Sequence, residues 1–226
     1  MRRWYRFWQI LAQGAFAAFF HIRVFGRENV PLTGPVLLVS NHQSFLDPVL
    51  CGLSLHRELD YIARDSLFKN PAFAWYIRSL NAFPIQRGQA DVAAIKTIIR
   101  RLQNHRAVVL FPEATRTPDG RIRPIKSGFD LIARRAQAAT VPVVIDGAFD
   151  AWPRHQLLSS LGNIIVVFGP AITAKQTQNL SREDFVALIN RRLREMQDNI
   201  RRRFGKSVYN YHDFPKTKSE ILNPKS

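Results

Sequence analysis

Cysteine is nearly missing: Cys51 is the only one in 226 residues, which rules out a disulfide within the chain and fits a reducing compartment. No activating partner for a thiol nucleophile stands at a telling spacing from it, so Cys51 reads as a small core residue. Acidic side chains are scarce, 17 against 33 Lys and Arg, for a net charge of +16. Such a chain favours anionic partners: nucleic acid, acidic lipid or a phosphorylated substrate. Also lacking is an uninterrupted apolar run of the roughly 20 residues that a bilayer-spanning helix needs. No repeat or low-complexity linker marks a second domain. His42 as the one histidine near Asp47 and Glu113 is a poor metal signature, so no metal site is expected.

What is present begins at the N-terminus. Met1-Arg2-Arg3-Trp4-Tyr5-Arg6-Phe7-Trp8 continues through an apolar stretch to Phe20, interrupted by Gln9 and Gln13. Arginine beside Trp, Tyr and Phe suits a helix lying at lipid-headgroup depth, and residues 3–21 are read as a membrane-surface helix. Its rivals are an ordinary core helix and a secretory signal, the latter disfavoured because no clear small-residue cleavage site precedes Gly26.

With 46% apolar and 11% aromatic residues, the chain can bury one sizeable core. Beyond the first helix, short apolar runs alternate with longer amphipathic ones, the pattern of an α/β domain. Strands are expected at 23–28, 36–40, 60–63, 81–85, 107–111, 142–146 and 164–168, and helices at 48–55, 65–79, 90–104, 127–138 and 182–203. The expectation is a single α/β domain over 23–205, a central sheet of about seven strands flanked by helices. The interfacial helix (1–22) precedes it, and a polar, surface-lying tail (206–226) follows. Pro142 in Val141-Pro142-Val143-Val144-Ile145 suggests a strand start or an edge.

The richest chemistry lies in Ser40-Asn41-His42-Gln43-Ser44-Phe45-Leu46-Asp47-Pro48. Val36 to Val39 reads as a buried strand, and Asp47 followed by Pro48 as a helix N-cap with proline at the first helical position. His42 then belongs to a turn. That matters because five residues along a continuous helix rotate about 140°, which would hold imidazole and carboxylate apart. A turn can join them into a general base and its orienting acid.

Three further segments carry candidate groups. Phe83-Pro84-Ile85-Gln86-Arg87-Gly88 ends a strand with Arg87, able to meet an anion, although most such arginines are merely solvated. Phe111-Pro112-Glu113-Ala114-Thr115-Arg116-Thr117 follows another buried strand, and open α/β sheets place ligands at such ends. A plain Glu113–Arg116 ion pair bracing the turn is the bland reading there. In Lys126-Ser127-Gly128-Phe129, Lys126 stands at a helix start that could hold phosphate, though a simple helix cap explains it as well.

In order and spacing, Asn41-His42 with Asp47, the Phe83-to-Arg87 segment, Phe111-Pro112-Glu113-Ala114-Thr115-Arg116 and Val141-Pro142-Val143-Val144 resemble the glycerolipid acyltransferases. The likeness is to the short bacterial-type 1-acylglycerol-3-phosphate enzymes and runs from about Phe25 to Phe168. Two departures stand out. Ala114 replaces a usual Gly, which argues against a left-handed backbone there, and Thr117 replaces a frequent Ser.

The resemblance implies transfer of a fatty acyl group from acyl-CoA or acyl carrier protein to the sn-2 hydroxyl of lysophosphatidic acid, giving phosphatidic acid. It implies His42 as base and Asp47 as its partner, with no acyl-enzyme and no cofactor. Arg87, Glu113, Thr115 and Arg116 would shape the acceptor site, with Lys126 as a further phosphate contact. Expected partners are these substrates and an anionic membrane surface, on the cytoplasmic face of the cell membrane. Rival functions are acylation of glycerol 3-phosphate, a lyso-ornithine lipid or another lysophospholipid. More remote are a basic nucleic-acid-binding protein and a metallohydrolase; no recognised binding module accompanies the charge.

Overall fold

A computed structural model describes residues 1–85, 92–152 and 162–211. In chain order the elements are α1 (Arg3–Phe19), β1 (Phe20–Phe25), β2 (Val36–Ser40), α2 (Asp47–Leu53), β3 (Leu59–Arg64), α3 (Pro71–Ser79) and β4 (Ala82–Ile85). There follow α4 (Val92–Gln103), β5 (Ala107–Leu110), α5 (Gly128–Arg135), β6 (Ala139–Asp146), α6 (Ala148–Ala151), β7 (Gly162–Phe168), α7 (Ala174–Gln178) and α8 (Arg182–Arg203). The seven expected strands all form, β1 a little earlier than anticipated. The expected helix at 65–79 is split: a short 3₁₀ helix at Asp65–Phe68 precedes α3, which restarts at Pro71 with the Asn70 side chain accepting the Phe73 N–H.

The strands make one sheet in the order β1-β7-β6-β2-β5-β3-β4. It is parallel except where β7 runs against β6. All of β2 is buried, as a central parallel strand requires, and its side chains alternate between two cores. Leu37 and Val39 join Ile98, Phe129, Phe185 and Leu193 under α4, α5 and α8. Val36 and Leu38 join Leu46, Leu50, Cys51 and Ala148 under α2 and α6. Cys51 is thus the core residue expected, and burial pushes its thiol far up. Pro142 corrects its expectation: it lies inside β6, between β7 and β2, and pairs with Val39. The β6–β7 ladder begins only at Val143, and Gly169 N–H reaches back to the Pro142 carbonyl, so the missing donor falls at the ladder's end.

The first helix is folded inside out. Its buried residues are Tyr5 and Gln9, whereas Trp4, Phe7, Ile10, Leu11 and Phe19 are exposed. Gln9 donates to the carbonyls of Gly52 and Leu55, and Gln13 to that of Leu53. Those carbonyls lie in the last turn of α2 and just beyond it, where a helix leaves acceptors short of intrahelical partners. Tyr5 reaches Tyr61 at 2.8 Å, and a Cβ at Gly52 would collide with the Tyr61 hydroxyl, so this packing requires glycine. An ordinary core helix would bury its aromatics. This one buries Tyr5 and the Gln9 amide and leaves Trp4 and Phe7 outside.

Candidate active site

β2 and β5 are parallel neighbours with Val39 opposite Leu110, so the segments that leave them arrive at the same edge of the sheet. His42 and Glu113 meet there. The His42 Nδ1 lies 2.7 Å from Asp47 Oδ2, and the same oxygen accepts the N–H groups of Gln43 at 2.6 Å and Ser44 at 2.8 Å. Asp47 therefore does not cap its own helix as anticipated. Leu46 takes the N-cap place, and the Asp47 carboxylate instead closes the turn back onto His42. Its other oxygen, Oδ1, is buried with no hydrogen bond, so all of the accepting falls on the atom that faces the imidazole. A carboxylate already accepting two N–H groups takes a third from Nδ1–H, which leaves Nε2 as the basic nitrogen. Phe111 stacks on the ring, centroids 4.4 Å apart, and fixes its plane.

Glu113 turns its acid toward the backbone. Oε1 accepts the His42 N–H at 2.8 Å and Oε2 the Arg123 N–H at 3.1 Å, while Thr117 N–H donates to the His42 carbonyl at 2.8 Å. The His42 peptide is therefore gripped from both sides by the loop after β5. Burial pushes the Glu113 carboxyl up to about 8, against the pull of those two donors toward ionisation. Arg116 lays its guanidinium over the Phe45 ring, 3.4 Å from the centroid, on the same turn that carries His42. Ala114 overturns the sequence expectation. It takes φ +61°, the left-handed conformation that its methyl group resists.

A cleft of about 520 Å³ opens beside His42, a size typical of small-molecule sites. Ile62, Ile85, Ile95, Ile98 and Phe129 give it apolar walls, and Lys126 lines it as well. Thr115 lies in the Glu113 loop, half-buried. Arg87 falls outside the described residues. Sequence reasoning missed Arg64, the last residue of β3, which also lines the cleft. The signal was available, because Arg64 ends a parallel strand just as the segments singled out do. Also missed was the segment Lys206–Tyr211, where Lys206 Nζ reaches Asp146 at 2.9 Å and Tyr211 meets Ile122 and Gln197. Val208, Tyr209 and Tyr211 were a signal there, masked by the polar residues that follow Lys206.

Comparison with known proteins places this geometry. A sequence model of the Acyltransferase family matches residues 21–146, more than half of the chain. A chloroplast 1-acyl-sn-glycerol-3-phosphate acyltransferase of Arabidopsis thaliana is 30% identical over 169 residues, 73% of this chain and 47% of that protein. The chain thus spans about half the length of this relative, and 40% of its Brassica napus counterpart. A 1-acyl-sn-glycerol-3-phosphate acyltransferase of Bacillus subtilis is 26% identical over 79% of this chain and 89% of its own. The crystal structure of the 1-acyl-sn-glycerophosphate acyltransferase of Thermotoga maritima superposes with a TM-score of 0.73 at 26% identity, covering 85% of this chain and 78% of that one. Since the matched segment holds both strand ends that build the site, and the fold is shared as well, the chain belongs to the Acyltransferase family.

Proposed function

We propose that the protein transfers a fatty acyl group from a thioester, acyl-CoA or acyl carrier protein, to the sn-2 hydroxyl of lysophosphatidic acid. The observation that carries this reading is the His42–Asp47 contact at 2.7 Å, opening on an apolar cleft. An alcohol becomes an adequate nucleophile when its proton leaves as it attacks, and His42 Nε2 is the acceptor for that proton. Asp47 keeps the tautomer and balances the imidazolium that forms. The hydroxyl oxygen bonds to the thioester carbonyl carbon, the C–S bond breaks, and the proton passes from His42 to the departing sulfur. No acyl-enzyme is needed, and the buried Cys51 has no part in the step. No cofactor is invoked.

The fatty chain would lie along Ile62, Ile85, Ile95, Ile98 and Phe129. Its acceptor's phosphate would meet Lys126 and Arg64, which line the cleft, together with Arg116 and Arg87 from the sequence reading. Glu113 acts in this reading as the organiser of the His42 peptide. The names of the relatives support lysophosphatidic acid as acceptor. For the membrane, the outward aromatics of α1 and the excess positive charge support docking on an anionic leaflet, the cytoplasmic face of the cell membrane. Among the described residues no helix is long and apolar enough to cross a bilayer.

The test is mass-spectrometric identification of the product formed from mixed acyl-CoAs and lysolipids. Phosphatidic acid is expected from the wild-type protein and none from His42→Ala, with the circular dichroism spectrum unchanged. Turnover of glycerol 3-phosphate without turnover of lysophosphatidic acid would replace the acceptor. Near-wild-type turnover by His42→Ala would remove the base.

A further inference from the structure

We propose that Gln197 and Tyr211, which lie outside the segment matched by the family model, are positioning residues that hold the His42 turn through the carbonyl of Gly120. The proposal rests on the reading of His42 as the base.

Gln43, the residue after His42, is only 1% exposed. Its Oε1 accepts the Phe149 N–H at 3.2 Å, which orients the amide so that Nε2 donates to the Gly120 carbonyl at 2.9 Å. Gln197, on the inner face of α8, approaches the same carbonyl from the other side, with Nε2 3.1 Å away. One carbonyl oxygen has two lone pairs, and two buried amides occupy them. Gly120 is thereby clamped between the catalytic turn and α8.

The orientation of Gln197 is set in turn by Tyr211. The Tyr211 oxygen accepts the Ile122 N–H at 3.3 Å, and its own proton goes to Gln197 Oε1. An amide held by its oxygen cannot flip, so its NH₂ must face Gly120 and the Asp146 Oδ1, 3.3 Å away. Burial keeps the Tyr211 phenol protonated, hence a donor, throughout the working pH range. The tail residues are tightly seated: Gly120 has φ +84°, and a Cβ on it would stand 2.2 Å from the Tyr209 hydroxyl. Arg201 braces that ring at 3.9 Å while donating to Asp146 at 3.0 Å.

Gly120 is well placed to transmit this restraint. Its loop begins at Thr117, which donates to the His42 carbonyl, and ends at Arg123, whose N–H binds Glu113, the acceptor of the His42 N–H. Loosening the middle of the loop loosens both grips on the base. A small displacement suffices, because proton transfer depends steeply on distance and direction.

The experiment compares wild type, Gln197→Met, Tyr211→Phe, the double variant and His42→Ala, with acyl-CoA and lysophosphatidic acid as substrates. In Gln197→Met, which keeps the length of the side chain but loses its amide, kcat should fall about tenfold while the acceptor KM stays within about twofold. Tyr211→Phe should give a smaller loss of the same kind. The double variant should be no worse than Gln197→Met, because the hydroxyl acts through that amide. A purely structural role would lower the melting temperature and leave kcat per folded molecule at the wild-type value, and this result would overturn the proposal. A rise in KM at constant kcat would do so too. Normal kcat in Gln197→Met beside an inactive His42→Ala defeats this proposal alone, whereas an active His42→Ala defeats the base and the proposal together.

Discussion

Ala114 and Glu113 stand side by side and hold the site in opposite ways. Ala114 pays a steric penalty of about 1 kcal/mol or more for its left-handed backbone. Ala114→Gly should therefore raise the melting temperature by about 2–4 °C, read by thermal denaturation, with turnover retained. An unchanged or lower value would mean that the loop relaxes around the methyl group. Glu113 makes stability depend on pH. Its folded pKa of about 8 lies above the unfolded value near 4.3, so the native state binds the extra proton. The stability it contributes is complete below about pH 4.3 and is lost as the pH rises through about 8. Denaturant unfolding of wild type should weaken across that window, and Glu113→Gln should flatten the dependence. At this scale the sequence was legible for the contact between His42 and Asp47, which a turn allows and a continuous helix does not. It was opaque where backbone decides: nothing in the letters says that Ala114 keeps a glycine's conformation, or that Asp47 bends back instead of capping α2.

At the scale of elements, the alternation of short and long apolar runs exposed all seven strands, because central parallel strands such as β2 are continuous in hydrophobicity. The direction faced by α1 was harder to read. Trp4, Phe7 and Leu11 share a helical stripe, which ordinarily marks a core face, and only the carbonyls at the end of α2 explain why Gln9 and Gln13 point inward instead. Phe7 is 56% exposed, so a charge there should not disturb the fold. Phe7→Glu should weaken partitioning onto phosphatidylglycerol vesicles by about tenfold or more, measured by co-sedimentation, and should reduce turnover of vesicle-borne acceptor. Turnover of detergent-dispersed acceptor should be retained. Equal loss in both assays would assign Phe7 to the fold and not to the surface.

For the whole molecule, the net charge of +16 and the outward aromatics act over different ranges. Coulombic attraction to an anionic leaflet is screened within about 10 Å at 0.1 M salt, whereas apolar insertion is not. Raising salt from roughly 0.05 to 0.5 M should reduce binding to anionic vesicles by about tenfold and leave a residual affinity that Phe7→Glu removes. Binding that ignores salt would show the charge to be idle.

The inverted packing of α1 also sets a mechanical relation. The carbonyls gripped by Gln9 and Gln13 lie at the far end of α2, whose first residue is Asp47, and a helix of seven residues is only about 10 Å long. Whatever plane α1 rests in, Asp47 sits one short rod away from it. Under the proposed docking on a lipid surface, α1 would work as a depth gauge for the Asp47 carboxylate, keeping it at a constant height above that surface.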